Sequence, residues 1–176
     1  MPTNLLKKYP ELLELAHLPE HNRTLSLKGV FKRDIEDNTG FKFRHKMIRP
    51  VKGEEPSMQL LFKHLTTELI QERNERGETI PKRIFEMNRS QRLHWIKYHI
   101  DEKRSENMKI FSIEERSDRG NVIRTYIYDI DQKYVIVLEP QRSGRDYYLL
   151  TAYYLHKSYG VKKMKKKLKK KLDVIY

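Results

Sequence analysis

Residues 108–155 contain hydrophobic segments whose composition is typical of β-strands. Aromatic and β-branched residues fill four segments there, separated by short turns with the sequences DRG, DQ and RSGR. The segments are 108–115, 121–130, 133–140 and 146–155. They predict a four-stranded antiparallel β-meander. Segment 133–140 is almost continuously apolar, which predicts a central strand covered on both faces.

Earlier segments mostly show the helical period, with hydrophobic residues every three or four positions. This period predicts helices over 3–17, 57–72 and 82–101, the last either continuous or broken near Asn88 to Ser90. Residues 73–81 predict a loop. In contrast, segments 23–35 and 40–48 alternate apolar and polar residues on either side of the turn sequence NTG, which predicts an N-terminal β-hairpin.

These elements predict an α+β protein with helices packed on the β-meander. The chain has 176 residues, which suits one compact core. We divide it into an extension of helix, hairpin and helix at 1–80, an α+β domain at 81–160, and a basic C-terminal helix at 161–176. The helix is predicted by the spacing of Val161, Met164, Leu168 and Leu172.

Positive charge is concentrated in the tail. The chain carries 37 Lys and Arg against 24 Asp and Glu, and the segment from Lys157 to Tyr176 alone contains nine Lys and one Asp. Such a charge attracts polyanions, and tyrosines just before the tail can stack on unpaired bases. We therefore expect RNA as a partner, with an anionic membrane surface as a weaker alternative.

Several kinds of chemistry lack support in the sequence. There is no cysteine, the seven histidines show no HExxH pattern, and the seven glycines form no phosphate-binding array. We expect neither a metal nor a cofactor. The first 21 residues carry charges throughout, which argues against a signal peptide, and no later window is apolar enough to span a membrane. We therefore expect a cytoplasmic protein, and any export would use a route that does not need a signal peptide.

Cleavage of RNA without a metal needs a base, an acid, and cations or hydroxyls facing the phosphate. On the predicted sheet, Arg124 shares a face with Tyr126 and Tyr128, and Thr151 shares a face with Tyr153. His94 and His99 flank Trp95 about 140° apart on a helix, so at most one of them is expected to face the site. Any one of these residues could equally serve the fold alone.

The segments RSQRLHWIKYHID, MKIFSIEER, VIRTYIYDI, KYVIVLEP and DYYLLTAYYL together resemble the phage-associated branch of the barnase, EndoU, colicin and RelE-like nuclease superfamily. The similarity covers roughly residues 83–160. It implies a metal-independent ribonuclease with a helix packed on an antiparallel sheet, a toxin or effector role, and possible pairing with a cognate inhibitor. The chain departs from the family pattern at EKRSEN, where relatives often have an Asn-Pro turn, and in its lysine tail.

The resemblance also implies roles for individual residues. It makes Arg89 or Arg92 the arginine at the start of the helix, Arg124 the strand arginine, and Thr151 the last-strand threonine. We predict that Arg124 and Arg142 hold the phosphate, Thr151 donates to it, and His94 or His99 transfers protons. The residues predicted to bind the rest of the nucleic acid are Arg89, Arg92, Arg145, Tyr153, His156, Lys162, Lys163, Lys166, Lys167 and Lys170. The alternative hypothesis is a non-catalytic nucleic-acid-binding module that uses the same surface.

Overall fold

A computed structural model describes residues 3–176 as a mixed α+β fold built on a curled six-stranded sheet. The strand order is β1-β2-β8-β7-β6-β5, and β3 and β4 form a separate two-stranded sheet. The strands are β1 (Lys42–Phe43), β2 (Lys46–Pro50), β3 (Thr67–Arg73), β4 (Thr79–Phe85), β5 (Met108–Ser117), β6 (Gly120–Asp129), β7 (Tyr134–Pro140) and β8 (Tyr147–Tyr154).

The α+β class is confirmed, but the main sheet is larger than the four strands predicted. Strands β5 to β8 pair antiparallel in chain order, and β2 adds to the outer edge of β8 in parallel orientation. Between Val137 and Leu138 the β7 and β8 registers shift, because Leu150 forms a bulge.

Five α-helices cover the sheets. They are α1 (Glu20–Phe31), α2 (Ser57–Thr66), α3 (Met87–Ser90), α4 (Trp95–Ile100) and α5 (Ser158–Lys169). A 3-10 turn lies at Thr3–Leu6, and a π-helical turn at Lys32–Glu36 continues α1. Within residues 3–176, no helix is long and apolar enough to cross a membrane.

Hydrophobic side chains are buried on both faces of the six-stranded sheet. The larger core contains Ile127, Ile136 and Leu149 on one face, and residues from the N-terminal segment to α4 pack against it. The smaller core contains Phe111, Tyr126 and Val137 on the opposite face, where α5 inserts Met164. The central strand β7 is therefore covered on both faces, as its continuous apolar sequence predicts.

The predicted helix over 3–17 is wrong beyond its first turn. Leu13 and Leu15 are both fully buried while Leu12 is 39% exposed, which is the alternation of an extended chain. The segment is fixed to the helical layer by side chains: Trp95 Nε1 donates to the Glu11 carbonyl at 3.1 Å. Tertiary contacts therefore override the local helical spacing.

The predicted hairpin of 23–35 and 40–48 is wrong in its first half. Residues 20–31 form α1, and the buried side chains Leu27, Val30, Phe31 and Ile35 follow the helical period, whereas Leu25 is 54% exposed. Only the second segment contributes strands, the short pair β1 and β2. The alternation visible in the sequence came from the exposed Leu25 and not from a buried strand face.

The other helix boundaries also need correction. Helix α2 ends at Thr66, since the Thr66 and Thr67 hydroxyls bond to the carbonyls of Phe62 and Lys63 at 2.8 and 2.5 Å. The chain then forms the β3–β4 hairpin through the predicted loop 73–81, and the predicted helix 82–101 is reduced to α3 and α4. The basic C-terminal helix is present, but it spans 158–169 instead of 161–176.

Candidate nucleic-acid interface and active site

A cavity of about 600 Å³ lies where α5, strand β8 and the base of the β3–β4 hairpin meet. We call it the basic cavity, because six Lys and Arg side chains but only two Glu side chains line it. The cationic residues are Arg83, Arg89, Arg124, Lys157, Lys163 and Lys167. A site with this excess of positive charge attracts phosphate groups.

Hydroxyls and imidazoles also line the basic cavity. Strand β8 contributes Thr151 and Tyr153, α2 contributes His64, and His156 follows β8. Arg124 and Thr151 both line it, which agrees with their predicted position on one face of the sheet. The strand register explains this, because Tyr126, two residues from Arg124, lies opposite Val137, which lies opposite Thr151.

The guanidinium of Arg124 lies beside two carboxylates at the wall of the basic cavity. Its Nη1 donates to Glu115 Oε2 at 3.2 Å, and its Nε lies 3.7 Å from Glu139 Oε2. Tyr126 also donates to Glu115, at 2.7 Å, and burial raises the pKa of its hydroxyl. Arg124 therefore has a structural role between two carboxylates as well as a position at the cavity wall.

Lys167 and Arg89 line the basic cavity with their charges already engaged. Lys167 forms an ion pair with Glu115 and donates to the Tyr126 hydroxyl at 2.8 Å, and burial lowers the pKa of its ammonium. Arg89 Nη1 donates to the carbonyls of His64 and Thr67 at 2.7 and 2.8 Å, so it joins the end of α2 to β3. The cations exposed to solvent at the cavity are Arg83, Lys157 and Lys163.

The two histidines predicted to transfer protons do not line the basic cavity. His94 is 5% exposed, and burial lowers its pKa to about 4. His99 is 1% exposed and bonds through Nε2 to Asp129 Oδ2 at 2.9 Å and through Nδ1 to the Trp95 carbonyl at 2.7 Å. Both histidines lie outside this cavity, because the segment that carries them is buried between the sheet and the N-terminal segment.

Sequence reasoning missed His64. It lies in the last turn of α2, half-buried, and burial together with the charges of Arg83 and Arg89 holds its pKa below the ordinary value. An imidazole in this state is neutral at pH 7 and can accept a proton. No sequence signal marked His64, since α2 was assigned to a separate extension and only the fold brings it to β8.

The remaining predicted residues fall into three groups. Tyr153, His156 and Lys163 line the basic cavity. Lys162, Lys166 and Lys170 are exposed on or just after α5. Three arginines lie elsewhere: Arg92 is 8% exposed with its guanidinium 3.9 Å from the Tyr154 ring centroid, Arg142 lines a different cavity, and Arg145 is exposed in the β7–β8 loop. The Arg92 guanidinium thus makes a cation–π contact within the fold and does not line the basic cavity.

Within residues 3–176, no group of three or more His, Asp or Glu side chains has a geometry that could hold a metal ion. Searches against models of protein families, against curated proteins and against solved structures found no match. The geometry of the basic cavity is therefore the basis for any functional assignment.

Proposed function

We propose that the protein is a metal-independent ribonuclease and that the basic cavity is its active site. The observation that carries the proposal is the convergence of unpaired cations, hydroxyls and two histidines on one cavity of about 600 Å³. These are the groups that RNA transesterification requires. The resemblance of residues 83–160 to the barnase, EndoU, colicin and RelE-like nucleases agrees with this proposal.

In the proposed reaction, Lys157 and Lys163 position a phosphodiester of RNA. His64 takes the proton from the 2′-hydroxyl, whose oxygen attacks the phosphorus while the bond from phosphorus to the 5′-oxygen breaks. His156 donates a proton to the departing 5′-oxygen. The products are a 2′,3′-cyclic phosphate and a 5′-hydroxyl. Thr151 donates to a non-bridging phosphate oxygen, where charge accumulates in the transition state.

The test is cleavage of a labelled RNA in excess EDTA by the wild type and three variants, His64→Gln, His156→Gln and Thr151→Val. We expect each histidine variant to cleave about 100-fold or more slowly, since removal of a general acid or base has this effect. The matched control is His45→Gln, an exposed histidine between β1 and β2 that does not line the basic cavity. It should cleave as the wild type does, and melting curves should show that every variant is folded.

A second function, binding of RNA without cleavage, is favoured by one observation. Arg124 and Lys167 are already paired with Glu115, so part of the positive charge at the cavity is neutralised within the protein. Wild-type protein that binds RNA but cleaves none of the sequences offered in EDTA or with added Mg²⁺ would establish this second function and exclude the first.

A further inference from the structure

A second cavity, of about 690 Å³, opens where the six-stranded sheet splits. Residues 125–129 of β6 pair with β7, whereas residues 120–124 pair with β5 alone in the described part of the chain. Strand β7 ends at Pro140, and the turn that follows leads away to β8. We call the opening between these two segments the split-sheet cavity.

The lining of the split-sheet cavity combines three kinds of group that recognise nucleotides. Arg119 and Arg142 are exposed cations, which suit phosphate oxygens. Asn121 and Gln141 carry amides, which can both donate to and accept from base edges. Tyr148 is a half-buried aromatic ring on which an unpaired base can stack.

Glu139 connects this cavity to the basic cavity. It lines the split-sheet cavity and accepts from Arg119 at 2.9 Å, while its other oxygen lies 3.7 Å from Nε of Arg124 at the wall of the basic cavity. Among residues 3–176, neither that Glu139 oxygen nor Arg124 Nε has a hydrogen-bond partner, although both atoms are buried. The boundary between the cavities is therefore a row of alternating charges, Arg119, Glu139 and Arg124.

We infer that the split-sheet cavity is a second nucleotide subsite, which holds the same single-stranded RNA whose phosphodiester lies in the basic cavity. Arg142 contacts a phosphate, Tyr148 stacks on a base, and the strand passes the boundary where Arg119 and Arg124 neutralise the Glu139 carboxylate. This inference rests on the proposed function, because it requires RNA in the basic cavity. It also gives a role to Arg142, which the fold separates from Arg124.

The experiment measures the affinity of 2′-O-methyl oligouridylates, which cannot react through a 2′-hydroxyl, at two lengths of about three and about nine nucleotides. The proteins are the wild type, Arg142→Ala and Tyr148→Ala, with Arg76→Ala as the matched control. Arg76 is an exposed arginine in the β3–β4 turn and lines neither cavity. Melting curves identify any variant that fails to fold. Arg142 is exposed, so we expect Arg142→Ala to fold as the wild type does.

We expect the wild type to bind the longer oligomer more tightly than the shorter one. Tyr148→Ala should weaken affinity for the longer oligomer on the order of tenfold. Arg142→Ala should reduce by about one the slope of log affinity for the longer oligomer against log salt concentration. Affinity for the shorter oligomer should not change in either variant, and Arg76→Ala should bind both oligomers as the wild type does. Equal affinity of wild type and both variants for the longer oligomer would overturn the second subsite and leave the ribonuclease proposal standing. Failure of the wild type to bind either oligomer would count against both.

Discussion

At the scale of single residues, burial decides which histidines can take part in chemistry. His64 reaches a cavity that holds cations and hydroxyls, whereas His94 and His99 are almost fully buried. The sequence favoured the latter two because they flank Trp95 in a conspicuous motif. The same spacing places them in the core, where their effect is on stability.

His64 predicts the acidic limb of a pH–rate profile. Its pKa lies below the ordinary value of 6.5, so the neutral form that accepts the 2′-hydroxyl proton persists to lower pH than for a free histidine. We expect RNA cleavage to fall only as the pH drops below about 6.5. The measurement is kcat/KM against pH for wild type and His64→Gln. A limb with the same midpoint in both proteins would show that another group accepts the proton.

His94 predicts a loss of stability in acid. Its folded pKa of about 4 lies below the unfolded value of 6.5, so the unfolded chain binds the proton more readily. The stability of the neutral folded form is complete above pH 6.5 and is lost as the pH falls towards 4. The total loss is about 3 kcal/mol.

Denaturant unfolding of wild type and His94→Leu between pH 7.5 and 4 measures this effect. Contributions from all other groups are shared by the two proteins, so the difference between their curves isolates His94. We expect the wild type to lose about 3 kcal/mol more than the variant over this range. Parallel curves would contradict the assignment.

At the scale of elements, α5 has two separate tasks on its two sides. Met164 is 2% exposed against Phe111 and Ile113, while Lys162 and Lys166 face solvent. Deletion of the helix would therefore uncover a core as well as remove charge. Because the apolar side is occupied by the sheet, it is not available to insert into a membrane surface.

Two sets of substitutions separate these tasks. Met164→Ala should lower the free energy of unfolding by about 2–5 kcal/mol, since it leaves a void in the smaller core. Joint replacement of Lys162, Lys166, Lys169 and Lys170 by Gln should leave unfolding within about 1 kcal/mol and reduce the salt dependence of RNA affinity. The measurements are denaturant unfolding and affinity at several salt concentrations. An unchanged salt slope in the lysine variant would remove α5 from the interface.

The elements also show what a sequence can reveal. Strands β5 to β8 were placed nearly to the residue, because aromatic and β-branched residues dominate them and short turns separate them. The β3–β4 hairpin was missed since Leu69 and Ile80 are exposed, at 56% and 41%, and so no buried face marked its strands. Helix α1 was misread because Leu25 points outwards. The spacing of hydrophobic residues predicts an element only when those residues are buried. In α1 and the β3–β4 hairpin some of them are exposed, so the spacing is misleading there.

At the scale of the whole molecule, one buried network joins three distant segments. Asp129 at the end of β6 is fully buried and accepts hydrogen bonds from His99 of α4 at 2.9 Å and from Tyr9 of the N-terminal segment at 3.0 Å. The two ring nitrogens of His99 lie 2.7 Å from the Trp95 carbonyl and 2.9 Å from the Asp129 carboxylate, so the imidazole is held at both ends. These hydrogen bonds lower the pKa of Asp129 despite its burial.

Asp129→Asn should therefore destabilise the protein strongly. It changes the buried carboxylate that His99 and Tyr9 share as a hydrogen-bond partner, and leaving a buried polar group unsatisfied costs about 1–3 kcal/mol, more where a charged group is involved. Asp131→Asn is the matched control, since Asp131 lies two residues away with its side chain 41% exposed and should cost no more than about 1 kcal/mol. Chemical denaturation of both variants is the measurement. Equal losses would show that the network does not hold the segments together.

The parallel pair of β2 and β8 has a consequence for how the chain reaches its structure. Ile48 lies opposite Tyr147, so the sheet receives its outermost strands only after almost a hundred intervening residues have been made. Contacts this distant along the chain slow folding, because the loop between them must close before the contacts stabilise it. On the ribosome, β2 can therefore pair only with β1 until β8 emerges. We expect the unpaired edge of β2 to be open to proteases and to chaperone binding during this interval.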